Sequence, residues 1–114
     1  MARVLAALLA LLALPALGQE ARYRSGEGDV YDLVTTGGGE VALTSQGDVV
    51  RSVDSASLGG PDVLTLRADC SAEADGQVGA WGQGLLGFEV TLPSRTVAFP
   101  VQRLTVDGAS CPRP

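Results

Sequence analysis

Residues 63–70 read Val63-Leu64-Thr65-Leu66-Arg67-Ala68-Asp69-Cys70, and the fold turns on this stretch. Leu64, Leu66, Ala68 and Cys70 fall on one side of a two-residue period, and Thr65, Arg67 and Asp69 on the other. That is the alternation of a half-buried β-strand. Gly59-Gly60-Pro61-Asp62 ahead of it is a strong turn signal, and residues 71–77 (SAEADGQ) behind it read as a loop. Cys70 lies on the apolar face, where a disulfide leaving it is sheltered.

Downstream, residues 78–81 (VGAW) and 87–92 (GFEVTL) read as two more strands joined through Gly82-Gln83-Gly84. In the second, Phe88, Val90 and Leu92 point inward and Glu89 and Thr91 outward. Pro93-Ser94 turns the chain, and residues 96–101 place Val97, Phe99 and Val101 on one face. Pro100 lacks an N–H and marks an edge strand or a bend. Residues 103–106 (RLTV) read as a last short strand.

Upstream, residues 30–34 (VYDLV) and 40–45 (EVALTS) are strand candidates separated by a Gly37-Gly38-Gly39 break. The short Gln46-Gly47-Asp48 turn predicts a hairpin between 40–45 and 49–53 (VVRSV). Residues 52–58 (SVDSASL) fit a helical turn. No window after residue 18 keeps a helical period, and glycine is too frequent for long helices. The expected fold is all-β, a small antiparallel β-sandwich or barrel of about five to eight short strands with one disulfide.

The start of the chain sets its compartment. Arg3 precedes an unbroken apolar run over residues 4–14, Pro15 breaks it, and Ala16-Leu17-Gly18 supplies small residues at a cleavage site. This is the layout of a secretory signal peptide spanning 1–18. The run is shorter than the roughly 20 apolar residues of a bilayer-spanning helix. No Cys follows the cleavage site to carry a lipid, so no membrane anchor is expected after cleavage. Residues 19–29 (QEARYRSGEGD) read as a flexible N-terminal lead, and 30–114 as a single β domain.

The chain has 114 residues and two cysteines, Cys70 and Cys111. There is no CxxC spacing and no Lys or His to depress a thiol pKa, so a redox pair is disfavoured against a structural disulfide. Lys, His, Asn and Ile are all absent. Their codons are AT-rich, which points to a GC-rich bacterial genome. Together these features predict a periplasmic or secreted protein.

Removal of Arg3 takes the formal charge from −5 to −6, with seven arginines against thirteen acidic residues. The acids are scattered, and nucleic acid and anionic membrane, which reward basic patches, are not expected partners. Without His or Lys, the Ser-His-Asp, Cys-His, Ser-Lys and Schiff-base arrangements are all excluded. His-ligated zinc is excluded too, and two cysteines cannot fill a four-cysteine site. Paired carboxylates remain, but glycosidases need a deep cleft that a domain this small seldom provides. The expectation is a non-enzyme with no cofactor and no metal.

Three motifs carry weaker signals. Gly82-Gln83-Gly84-Leu85-Leu86-Gly87 matches GxGxxG, but a strand pattern follows where the dinucleotide fingerprint needs a helix. Ser71-Ala72-Glu73-Ala74-Asp75-Gly76 resembles the start of a calcium loop, yet its twelfth place is Gly82 rather than a bidentate Glu. Trp81 stands among glycines, either filling core space or serving as an exposed aromatic platform. In the second case Arg67, Glu89 and Thr91 are its polar neighbours.

The expected function is an exported, non-catalytic binding or accessory module acting through an envelope protein partner. The alternatives are a small-ligand or glycan-binding module using Trp81, and a structural domain stabilised by calcium. Protein binding predicts an exposed apolar strip or edge strand, and ligand binding a concave pocket walled by the Trp.

Overall fold

The computed structural model describes residues 22–112, so the expected signal peptide lies outside the described residues. The described chain is all-β. Its main sheet is antiparallel and eight-stranded. In spatial order the strands are β1 (Arg22–Arg24), β2 (Val30–Thr35), β3 (Glu40–Asp48), β6 (Pro61–Arg67), β7 (Ser71–Ala74), β8 (Gln77–Gly84), β9 (Gly87–Leu92) and β10 (Arg95–Pro100). The remaining two, β4 (Arg51–Val53) and β5 (Ala56–Leu58), form a separate hairpin between β3 and β6.

The sheet curls into a nearly closed barrel. Its outer strands β1 and β10 meet at a seam, where the Gly26 N–H donates to the Ala98 carbonyl at 2.9 Å. The Gln102 amide completes the closure. Its Oε1 accepts from the Arg24 N–H at 2.7 Å and its Nε2 donates to the Arg24 carbonyl at 2.6 Å. A side chain thus supplies the donor–acceptor pair that a continuing strand would offer just beyond Pro100, the strand's last residue.

The core follows the alternation. Leu43 pairs with Leu64 and Val41 with Leu66, all buried. Phe88 faces Phe99 across β9 and β10 with rings stacked at 4.6 Å, and Tyr23 meets Phe88 edge-on at 5.6 Å. The strand directions give the barrel two unlike ends. A tail end is covered by Leu104 and Val106, both buried, and pinned by the Cys70–Cys111 disulfide with 5.5 Å between Cα atoms. The opposite, polar end lies under the β4–β5 hairpin.

Six local expectations are corrected. The loop at 71–77 is β7, a two-residue Asp75-Gly76 turn and the start of β8. Ala72 and Ala74 are weak strand formers, yet their small side chains fill the inner face. The hairpin between 40–45 and 49–53 does not form, because β3 takes β6 as its partner after a register shift between Thr44 and Asp48. Leu64 and Leu66 give Leu43 and Val41 buried partners. The helical turn at 52–58 is instead the β4–β5 hairpin, whose Asp54 and Ser55 both adopt positive φ, at 50° and 70°.

Val101 does not point inward, since β10 ends at Pro100 and Val101 takes φ 61° with its side chain in solvent. Residues 103–106 form no strand, only a bridge between Val106 and Ala109. Within the expected lead, moreover, Arg22–Arg24 pairs with β2, because Tyr23 has an aromatic partner in the core.

Candidate functional site

The four residues expected at a binding surface do not come together. Trp81 lies on the inner face of β8 at 3% exposure, and its indole N–H donates to the Arg67 carbonyl at 2.8 Å. The ring is core, so it offers no platform. Arg67, Glu89 and Thr91 sit on outward positions of the sheet. Glu89 and Thr91 share a face of β9, but Arg67 is on β6, three strand steps or about 14 Å away. Arg67 is engaged by Glu73 at 2.7 Å and Glu40 at 3.0 Å, which in that order hold its positive charge more firmly.

The polar end contains the densest charge cluster. Asp62, at the start of β6, has no exposed surface. Its carboxylate accepts from Arg95 Nη1 at 2.8 Å and Nη2 at 2.7 Å, and from the Tyr31 hydroxyl at 2.7 Å. Its N–H donates to Ser45 Oγ at 2.8 Å. Arg51, carried by β4, grips Asp75 in the β7–β8 turn with Nε at 2.9 Å and Nη2 at 3.1 Å. It also donates to the Val49 and Gly60 carbonyls at 2.7 and 3.0 Å. Two guanidinium groups and two carboxylates leave the cluster neutral.

Burial alone would raise the Asp62 carboxyl. The bonds from Arg95 and Tyr31 outweigh it and hold the group below the ordinary carboxylate range. Burial first, then the bond to Asp62, pushes the Tyr31 phenol up. Both oxygens of Asp62 are saturated by these donors, so the cluster locks a barrel end rather than moving protons. Asp75, from the calcium-like stretch, is committed to the two arginines. Among the described residues no three acidic or cysteine side chains gather as a metal site.

The outer surface holds the second feature. Leu85, Leu86 and Val101 are 95%, 79% and 89% exposed. Leu85 and Leu86 form the β8–β9 turn, and the Leu86 carbonyl accepts from the Val101 N–H at 2.8 Å. Three large apolar side chains therefore crown the tail end together. The sequence placed Leu85 and Leu86 in a glycine-rich turn, but their grouping depends on where β10 stops.

Beside this crown, two hollows adjoin along the seam. One, of about 430 Å³, is lined by Tyr23, Leu33, Arg103, Leu104 and Thr105. The other, of about 400 Å³, is lined by Arg22, Tyr23, Arg24, Val30, Gln46 and Gln102. Tyr23 borders both, but its ring and Leu33 face the core while Arg22 and Arg24 project from the other face of β1, so the two hollows are separate.

No family model, no curated protein and no solved structure matches this chain.

Proposed function

We propose that this chain is an exported, non-catalytic binding or accessory module that acts through a protein partner. The crown of Leu85, Leu86 and Val101 carries this reading. Burying each such side chain against a partner is worth about 1.5–3 kcal/mol, which the free protein forgoes. Val101 also bears backbone strain, since a β-branched residue at φ 61° costs on the order of 1–3 kcal/mol. Its side chain stays 89% exposed, so the strained turn presents it outward. Export is supported by the leader-like N-terminus and by a disulfide, which persists in oxidising compartments.

The test is photo-cross-linking in the native host. A photoreactive residue at position 86 should capture one saturable partner. Untagged protein should compete for it, and the Leu85→Asp, Leu86→Asp variant should not. The same probe at Val50, exposed at the opposite end, should capture nothing saturable. Equal yields from both positions would overturn the reading.

A further inference from the structure

We infer that residues 49–60 form a strap latched over the polar end, which opens as a unit while the barrel stays folded. The strap continues the β3–β6 ladder. Asp48 pairs with Pro61, the Val49 N–H donates to the Gly60 carbonyl at 2.9 Å, and Arg51, Ser52 and Val53 pair with Leu58, Ser57 and Ala56 in the same register. That register is offset from the barrel's, because the ladder shifts between Thr44 and Asp48. A bulge of this kind bends a strand pair. On the returning strand Gly60 takes φ 84°, with open space where a Cβ would stand. The shift and the glycine give the strap a hinge at its root.

Two observations make the strap separable. No residue of 49–60 belongs to the apolar core cluster, so the core is complete without it; Val53 is buried but lies outside that cluster. Among the described residues, moreover, every hydrogen bond and ion pair from 49–60 to the rest of the barrel comes from one side chain, Arg51. Its Nε and Nη2 hold Asp75, and its Nε lies 3.7 Å from Asp62. Its other bonds go to the Val49, Gly59 and Gly60 carbonyls, which belong to the strap itself.

Opening therefore withdraws one guanidinium from two carboxylates. Arg95 stays behind, bonded to Asp62 and 3.3 Å from Asp75, so neither carboxylate is left without a cation. Opening then costs far less than unfolding, which would strand buried charge and expose the core. Without the latch, three strand pairs of mostly small residues do not sustain a ribbon in water, so the open strap is loose. Closed, it places Arg51 beside the fully buried Asp62 and gates the charge cluster.

Hydrogen exchange in the unmodified, disulfide-bonded protein tests the strap. The Val49 amide, bonded within the strap, should exchange at least tenfold faster than the Trp81 amide, which donates to the Cys70 carbonyl in the barrel wall. A local opening exposes little surface, so low urea should leave the Val49 rate unchanged while raising that of Trp81. Equal rates, or a shared urea dependence, would overturn the inference. Trypsin reads the latch, because the chain has no Lys and Arg51 is the only arginine between 49 and 60. Asp75→Ala should speed cleavage between Arg51 and Ser52 at least tenfold and leave that between Arg67 and Ala68 unchanged. Equal acceleration at both bonds, or none at the first, would overturn the inference as well. If Asp75→Ala does not fold, the exchange comparison alone decides.

Discussion

Asp62 keeps a negative charge with no access to water because three donor bonds from two side chains replace its hydration. Removing the carboxylate strands Arg95 and the Tyr31 hydroxyl, so Asp62→Ala should cost about 3–5 kcal/mol. The pH dependence has a definite sign. The folded chain holds this carboxyl below its unfolded value, so the unfolded state takes up the proton first. Stability from Asp62 is then fully present at neutral pH and declines as pH falls below about 4. Urea midpoints across pH 2–7 should show this decline, and it should be shallower in Asp62→Asn. Trp81 makes the complementary case in the apolar core. Its burial predicts that Trp81→Ala lowers stability by about 3–5 kcal/mol, read by thermal melting. Gly79 and Gly82 beside it were the sequence signal for that burial, since a Cβ on Gly79 would collide with the Thr91 carbonyl.

At the scale of elements, the strands with large apolar residues in strict alternation were legible. β6, β9 and β10 fall within a residue or two of their sequence-based bounds, apart from 68–70, which leave the strand after Arg67 and turn into β7 with Cys70 at φ 74°. β7 was not legible, because an alanine strand looks like a polar loop until its opposite strand is known. The pairing of β3 with β6 was hidden for another reason. Local patterning favours the nearest apolar run, whereas burial rewards the longer-range partner. The seam is likewise a long-range object, joining Arg24 to Gln102 across 78 positions. Gln102→Ala should cost about 1 kcal/mol, because two backbone groups of β1 lose their partner to water. Hydrogen exchange at the Arg24 amide should accelerate in that variant while the Leu64 amide stays protected. Equal acceleration at both amides would mean that the seam is not an independent unit.

For the whole molecule, composition and cysteine count were enough to give the class and the staple, but not the exposed apolar crown. The crown exists only because β10 stops beside the β8–β9 turn, so no single stretch of sequence displays it. The staple closes the tail end across a separation of 41 residues. In the chain-entropy account it contributes about 4 kcal/mol. The Cys70→Ser, Cys111→Ser variant should lose about that much in guanidinium unfolding. Its tail should also become more sensitive to protease near Leu104 than that of the intact protein.

The seam also puts a delay into the making of this protein. β1 is the first described strand to leave the ribosome, and the glutamine that stitches it arrives 78 positions later. At about 5–20 residues per second that is roughly 4–16 s during which one border of the nascent sheet is unfinished. An unpaired strand border is an invitation to neighbouring chains, and charged side chains along it are a known deterrent. Arg22 and Arg24 occupy that border. Their charge makes that border a poor template for another chain while the barrel is being assembled.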